Sequence, residues 1–316
     1  MAKINTKLSI AILGPGAIGG FLAALFVKHG HEVICIAKKA SAEKIQKRGI
    51  KLESKFYGDF LAKPHSVEKL DFPVDILFIT VKTPFIIDAL KRVNLSSIKN
   101  TTIISLLNGV GYEATIRDVL GKNVVIGTIG SIQAIKNLNN TVIHLSLVKA
   151  RIEIAHNSNV LKKVLKETSF LINSIGVSAS LLNSEREVIW NKLVRLNAIA
   201  SLTSAYEMNL GEIKSNFKLN ELLKKIVEEG VLVANKEGVF INPIQIMRQI
   251  DELPFSLETS MQRDIVLGQK SEFESITFGV LNLARVYGIS APAHELIYNI
   301  IERKITNFEN QINGSN

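Results

Sequence analysis

The chain has 316 residues, of which 47% are hydrophobic and 21% charged, and this balance excludes an intrinsically disordered protein. The length is greater than one hydrophobic core usually requires and suits two domains. A formal net charge of +9 favours anionic ligands. However, the lysines are spread along the chain and form no aromatic-interleaved basic stripe, so we predict no nucleic-acid partner.

The expected compartment follows from the cysteine content and the apolar segments. The single cysteine, Cys35, cannot form an internal disulfide, and its apolar surroundings predict packing in a core. The glycines around Pro15 interrupt the apolar N-terminal run, and no later run is long and apolar enough to span a bilayer. We therefore expect a cytoplasmic protein with no membrane partner. The six histidines suggest no metal site.

The N-terminal region predicts a dinucleotide-binding βαβ unit. An apolar strand over residues 8–13 leads into a G-x-G-x-x-G motif, followed by a helix over 21–29 and a second strand over 31–37. Gly14 permits the tight turn, Gly16 allows a pyrophosphate to approach the backbone, and Gly19 lets the helix pack on the strand. The predicted cofactor-binding residues here are Gly14, Pro15, Gly16, Ala17, Ile18 and Gly19.

The end of the second strand bears on the choice of cofactor. Enzymes that prefer NAD usually carry an acidic residue there, which accepts hydrogen bonds from the ribose 2′-hydroxyl. This strand ends in Lys38 and Lys39, with no acidic residue before Glu43. Because ammonium groups attract a 2′-phosphate, we predict NADPH with Lys38 as a contact. The alternative is that both lysines are solvated surface residues.

The rest of the first half alternates strand-like and helix-like segments. Strands are predicted near 50–57, at 74–81, 101–106 and 124–127, and as an added pair at 142–147 and 151–155. Helices are predicted at 41–48, 83–93 and 159–174. This alternation is typical of a doubly wound parallel sheet with helices on both faces.

From about Ser184 the pattern becomes entirely helical. Ser184 and Glu187 have the spacing of a capping box at the start of the first of these helices. The predicted helices cover residues 185–206, 218–237, 242–250, 257–267, 271–287 and 293–309. The fold class is therefore α/β, with a Rossmann-type domain over residues 1–180 and an all-helical substrate domain over residues 181–316.

Four further motifs accompany the glycine loop. They are Thr80-Val81-Lys82-Thr83, Leu107-Asn108-Gly109-Val110-Gly111, Trp190-Asn191-Lys192-Leu193, and the segment from Thr259-Ser260-Met261 through Asp264 and Gly268 to Glu272. Together the five motifs resemble those of the 2-dehydropantoate 2-reductase (ketopantoate reductase) family, and the resemblance covers nearly the whole chain.

The resemblance implies a reaction and a set of residues. The reaction is NADPH-dependent reduction of 2-dehydropantoate to pantoate, a step of pantothenate and coenzyme A biosynthesis. Lys192 would be the catalytic general acid, which suits the chemistry because hydride addition to a 2-oxo acid leaves an alkoxide that needs a proton. Glu272 would assist it. Lys82 and Asn108 would contact the cofactor, and the implied substrate contacts are Asn108, Lys192, Ser260, Asp264 and Glu272.

Simpler interpretations exist for several of these residues. Lys82 fits an ordinary surface position, and Trp190 fits a core position better than a ligand-binding one. Glu272 fits the first turn of a helix, where the helix dipole favours a carboxylate. Asp264 fits a bracing role better than direct substrate contact.

The chain departs from the family pattern at three positions after Lys192. Leu196, Ala200 and Leu210 stand where the family carries asparagines that hydrogen-bond the substrate's hydroxyl side. Asn197 and Asn209 are displaced by one residue, which turns a helical side chain by about 100°. We therefore predict a more apolar substrate pocket. The alternatives are a related reductase of another 2-oxo acid and an NADPH-binding regulator without turnover. The sequence does not determine the oligomeric state, and a homodimer is compatible with it.

Overall fold

The computed structural model describes residues 7–313, with side chains described through residue 310. The chain forms two compact units that divide between Val188 and Ile189. The short segment Asn108–Tyr112 belongs to the second unit although it is flanked by residues of the first.

The first unit is built on two sheets. Its strands are β1 Ser9–Leu13, β2 Glu32–Ile36, β3 Ile50–Ser54, β4 Phe60–Ala62, β5 His65–Val67, β6 Ile76–Ile79, β7 Thr102–Ser105, β8 Val124–Gly130, β9 Ala134–Lys136, β10 Thr141–His144, β11 Arg151–Ala155 and β12 Ser178–Leu182. The larger sheet has the order β12-β11-β8-β7-β6-β1-β2-β5 and is parallel except where β8 meets β11. The smaller sheet has the order β4-β3-β10-β9. The predicted Rossmann-type sheet is confirmed.

The helices of the first unit follow the strands they connect. They are α1 Ala17–Lys28, α2 Lys39–Arg48, α3 Ile86–Leu90, α4 Glu113–Leu120 and α5 Lys162–Ser174, with 3-10 turns at Thr83–Phe85 and Leu95–Ile98. Helix α1 contacts strands of both sheets, and its residues from Gly19 to Phe26 are all buried. Since both sides of α1 are covered by sheet, the helix is apolar on all faces instead of amphipathic.

Two predictions for this unit were wrong in detail. The segments predicted as an added pair of strands lie in different sheets: β10 pairs with β3 and β9, whereas β11 pairs with β8 and β12. An alternating or apolar pattern identifies a strand and its faces but not its partner. The helix predicted over 83–93 is a 3-10 turn followed by α3, which ends at Leu90.

The second unit is helical. Its helices are α6 Glu185–Tyr206, which begins before the division, α7 Leu210–Ser215, α8 Phe217–Lys236, α9 Pro243–Asp251, α10 Ser260–Val266, α11 Gly279–Val286 and α12 Pro292–Asn313. A π-helical turn, Glu274–Phe278, precedes α11. The predicted boundaries of α6 agree with the structure. Ser184 caps this helix by accepting from the Glu187 N–H at 3.1 Å, while the Glu187 carboxylate accepts from the Asn183 N–H instead of that of Ser184.

A chain of buried hydrogen bonds runs through the core of the second unit. The Glu229 carboxylate accepts from the backbone N–H groups of Ala293 and His294 and from His294 Nδ1 at 2.6 Å. Because a carboxylate only accepts, Nδ1 carries a proton and donates to it, and Nε2 on the other side of the ring lies 2.7 Å from Asn197 Nδ2. Ser201 Oγ then donates to Asn197 Oδ1 at 3.0 Å. Asn197 is therefore fully engaged in the core.

We expect Glu229→Gln to destabilise the protein in a pH-dependent manner. Burial alone would raise the pKa of Glu229, but hydrogen bonds from the His294 side chain and from the backbone of Ala293 and His294 outweigh burial and lower the pKa. The ionised carboxylate therefore contributes stability above the unfolded pKa of 4.5, and that contribution is lost as the pH falls through the lower folded value.

Chemical unfolding at neutral pH and at acid pH measures this effect. At neutral pH the variant should lose about 2 kcal/mol of unfolding free energy, and the loss should shrink below the unfolded pKa. Glu228→Gln, an exposed neighbour on α8, is the control and should change little at either pH. A loss that stays constant with pH would show that the charge of Glu229 is not responsible.

Candidate active site

The glycine loop of the first unit is packed tightly on one side and open on the other. Gly14 has φ +86°, and a Cβ there would lie 2.3 Å from Val81 Cγ1. A Cβ at Gly19 would lie 2.4 Å from Thr80 Oγ1, whose hydroxyl donates to the Gly14 carbonyl at 2.9 Å. At Gly16, in contrast, the nearest atom to a Cβ is the Gly14 oxygen at 4.0 Å.

This loop fits the pyrophosphate of a dinucleotide. Helix α1 begins at Ala17, so the N–H groups of its first turn have no acceptor within the helix and mark its positive end. The open space at Gly16 adjoins these N–H groups. The loop therefore offers an anion site at the carboxyl end of β1, where dinucleotides bind in doubly wound sheets.

Lys38 and Lys82 flank the glycine loop because they follow the two strands beside β1. Lys38 is exposed, precedes α2, and its Nζ lies 5.9 Å from the centre of the Phe85 ring. Lys82 is half-buried and precedes the 3-10 turn Thr83–Phe85. The predicted cofactor residues of this unit thus collect at one edge of the sheet, at the carboxyl ends of β1, β2 and β6.

The second unit brings together the two residues predicted for catalysis, Lys192 and Glu272, and Asn108, which was predicted to contact cofactor and substrate. Lys192 Nζ donates to Asn108 Oδ1 at 2.6 Å, and Asn108 Nδ2 donates to Glu272 Oε2 at 3.1 Å. This orientation of the amide is the one that satisfies both partners, because an ammonium only donates and a carboxylate only accepts. Lys192 and Glu272 lie 80 positions apart along the sequence but are linked through a single side chain.

Lys192 is held by the helix that carries it. Trp190 and Leu193 are 1% and 2% exposed in the apolar core of the second unit, and Lys192 between them is half-buried. The tryptophan therefore has the core position that the simpler interpretation assigned to it. Because its two neighbours are anchored in the core, the lysine stem emerges from α6 in a defined direction.

Asn108 is held by a close approach between two backbone segments. Gly109 has φ +89°, and a Cβ there would lie 2.2 Å from the Ser275 carbonyl oxygen. The same oxygen accepts from the Val110 N–H at 2.9 Å. The Asn-Gly pair is thus more than a surface turn, since it packs the Gly109 backbone, directly after Asn108, against Ser275 of the π-helical turn that follows Glu272. Such turns are frequent at functional sites.

Glu272 stands at the start of that helical segment. Its carbonyl accepts from the N–H groups of Ser275 and Ile276, and its side chain is 4% exposed. The interpretation of Glu272 as a carboxylate at a helix N-terminus therefore agrees with the structure. It is compatible with a role in the site, because the same carboxylate accepts from Asn108.

Ser260 and Asp264 lie on α10 and differ in exposure. Ser260 is the exposed first residue of the helix, and Asp264 is 7% exposed. The preceding residue, Thr259, caps α10 in a capping box with Gln262, and its hydroxyl lies 3.0 Å from that of Thr203. A substrate contact by Ser260 or Asp264 remains a prediction.

The positions that lack the family's asparagines are apolar in the structure as well as in the sequence. Ala200 and Leu210 are 1% and 0% exposed, and Leu196 packs against the core of the second unit. The displaced Asn209 caps α7 in a capping box with Glu212, so its side chain is used locally. Neither displaced asparagine therefore replaces the missing amides.

Two further properties concern the residues that the structure describes. Among residues 7–313 there is no group of three or more His, Cys, Asp or Glu side chains able to hold a metal ion. No helix in the same range is long and apolar enough to cross a membrane. Cys35 is buried in the core as predicted, and burial raises the pKa of its thiol to about 12.

Comparison with known proteins gives consistent results over most of the chain. Residues 10–159 match the model of the family "Ketopantoate reductase PanE/ApbA", and residues 184–304 match the model of its C-terminal part. A 2-dehydropantoate 2-reductase of Pyrococcus horikoshii is 26% identical over 303 residues, which are 94% of this chain and 97% of that protein.

The fold is shared by solved structures, among them the two that follow. D-mandelate dehydrogenase, in complex with NADH and anilino(oxo)acetate, has a TM-score of 0.86 at 21% identity and covers 96% of this chain and 100% of its own. A PanE/ApbA family ketopantoate reductase from Ralstonia eutropha has a TM-score of 0.85 at 21% identity, with the same coverage.

Proposed function

The chain belongs to the ketopantoate reductase family, and we propose that it reduces 2-dehydropantoate to pantoate with NADPH. The observation that carries the proposal is the linkage of Lys192, Asn108 and Glu272 in one hydrogen-bonded set. In this proposal the product serves pantothenate and coenzyme A synthesis. A regulator without turnover would have no need of a proton donor held in this way.

The chemistry assigns each of the three residues a task. Bound NADPH would supply a hydride to the carbonyl carbon of the 2-oxo acid. The carbonyl oxygen then gains negative charge, which the Lys192 ammonium stabilises and neutralises by transferring a proton from Nζ, so that the product is a 2-hydroxy acid. Asn108 orients the ammonium through Oδ1. Glu272 fixes the orientation of the Asn108 amide and offsets the charge of Lys192.

The preference for NADPH is supported by the end of β2. Lys38 and Lys39 follow this strand and both are exposed, so they are available to a 2′-phosphate. No carboxylate stands between them and Glu43. The structurally similar D-mandelate dehydrogenase is bound to NADH, so the fold alone does not decide the cofactor and the preference needs its own measurement.

A second candidate substrate is a more apolar 2-oxo acid, and a specific observation favours it. The three asparagine positions hold Leu196, Ala200 and Leu210, and the displaced asparagines serve the core and a helix cap. A site that hydrogen-bonds a substrate hydroxyl rejects the analogue without it by about 10⁴-fold or more, whereas an apolar pocket discriminates only about 10- to 200-fold.

The two candidates are distinguished by a pair of substrates that differ in one hydroxyl. We expect kcat/KM for 2-dehydropantoate and for 3,3-dimethyl-2-oxobutanoate, measured with saturating NADPH, to differ less than about 10²-fold. This result would support a pocket that does not depend on the hydroxyl. A preference for 2-dehydropantoate of about 10⁴-fold would contradict the apolar pocket and would require other polar groups to bind the hydroxyl.

A further inference from the structure

Lys136 of the smaller sheet reaches the glycine loop of the larger one. It is the last residue of β9, and its Nζ donates to the Pro15 carbonyl oxygen at 2.7 Å. Pro15 is the second residue of the G-x-G-x-x-G motif. The smaller sheet therefore contributes a cation to the loop predicted to bind the cofactor.

The charge of Lys136 has no carboxylate partner among the described residues. It is half-buried, and burial lowers its pKa. The ionisable groups near enough to act on its charge are the Cys35 thiol, which burial keeps neutral, and Lys44, which is itself a cation. Partly buried charges are normally paired. A neutral side chain with an N–H group could donate to the Pro15 carbonyl equally well. The hydrogen bond to Pro15 therefore does not explain why a charged side chain stands at this position.

The neighbours of Lys136 indicate which side of the loop it occupies. Cys35 lies on β2 and Lys44 on α2, the strand and helix that flank Lys38. Lys44 Nζ also donates to the Leu138 carbonyl at 2.8 Å, which ties α2 to the turn between β9 and β10. Lys136 therefore lies on the β2 side of the loop. In doubly wound folds the adenosine ribose lies on that side, whereas the pyrophosphate lies over the start of α1.

We propose that Lys136 is a specificity-determining residue that, together with Lys38, binds the 2′-phosphate of NADPH. This inference rests on the proposed NADPH function and deepens it. Among the described residues no carboxylate pairs with Lys136, and the 2′-phosphate would serve as its counterion. Its charge–charge attraction is strengthened by the partial burial of the ammonium.

The test measures binding of cofactor fragments, which requires no turnover. Adenosine 2′,5′-bisphosphate and adenosine 5′-monophosphate differ only by the 2′-phosphate, so the ratio of their affinities by calorimetry reports on that group. Lys136→Met should lower the ratio at least about tenfold, while Lys136→Arg should keep it. Lys136→Gln retains a donor without the charge and should behave like Lys136→Met; it also serves if Lys136→Met does not fold. Lys63→Met, at an exposed lysine of the same unit, is the control.

Each outcome bears on a separate claim. A wild-type ratio near one would overturn the preference for NADPH itself. A wild-type preference that Lys136→Met or Lys136→Gln leaves intact would overturn only the role of Lys136. A third fragment, adenosine 5′-diphosphate, tests whether Lys136 acts on the pyrophosphate instead. If Lys136→Met lowers the affinity for adenosine 5′-diphosphate as much as that for the 2′,5′-bisphosphate, the assignment of Lys136 to the 2′-phosphate is wrong.

Discussion

Lys192→Ala should lower the turnover of a 2-oxo acid by about 10²- to 10⁴-fold while NADPH binding persists. The loss arises because the variant has no ammonium to protonate the oxygen as hydride is added. Without Lys192, Asn108 and Glu272 retain their own contact but supply no proton of suitable acidity. The measurement is kcat with saturating NADPH and substrate, beside a direct measurement of NADPH affinity.

A matched control and a rescue experiment separate this role from a structural one. Lys225→Ala removes an exposed lysine of the second unit on α8 and should leave kcat within about twofold of the wild type. Added methylamine should restore part of the lost kcat in Lys192→Ala. It should not raise the kcat of the wild type or of Lys225→Ala. If Lys192→Ala keeps its kcat within about tenfold of the wild type, Lys192 is not the general acid.

Gly109→Ala should destabilise the protein by about 3 kcal/mol and displace Asn108. A left-handed conformation costs a non-glycine residue about 1–2 kcal/mol, and overpacking against the Ser275 carbonyl adds about 1–3 kcal/mol. The Ser275 oxygen would lie 2.2 Å from the new Cβ, so one of the two backbone segments must move. Since Asn108 precedes Gly109 directly, kcat should fall as well.

Gly111→Ala provides the control for the backbone conformation alone. Gly111 has φ +88°, almost the same as Gly109, but no atom lies within 4 Å of a Cβ placed there. Unfolding by denaturant should therefore show a smaller loss for Gly111→Ala, limited to about 1–2 kcal/mol. Equal losses for the two variants would mean that the close approach to Ser275 contributes nothing.

Much of the fold could be predicted because its signals are local. The ends of α6 were predicted correctly, since apolar residues recur densely along the helix and Ser184 supplies a recognisable cap. Strand β11 was also predicted with its observed bounds, because a short β-branched run there is bounded by loops. The glycine loop was predictable from the order of strand, glycines and helix.

The remaining features depend on contacts between distant segments. Nothing in residues 142–147 indicates that β10 pairs with β3, because a strand's pattern gives its faces and not its neighbour. The π-helical turn after Glu272 and the hydrogen bond from Lys136 to the Pro15 carbonyl could not be predicted either. No motif or residue spacing in the sequence indicates them. The link between Lys192, Asn108 and Glu272 was predictable only through the family resemblance, because no spacing along one element relates them.

The most direct test of the proposed function is the stoichiometry of NADPH consumption with purified protein and 2-dehydropantoate. The account predicts that NADPH is oxidised only when the 2-oxo acid is present, that one pantoate forms for each NADPH consumed, and that Lys192→Ala abolishes both signals. If NADPH binds but neither 2-dehydropantoate nor 3,3-dimethyl-2-oxobutanoate causes its oxidation, the assignment of 2-oxo acid reduction to Lys192, Asn108 and Glu272 is contradicted.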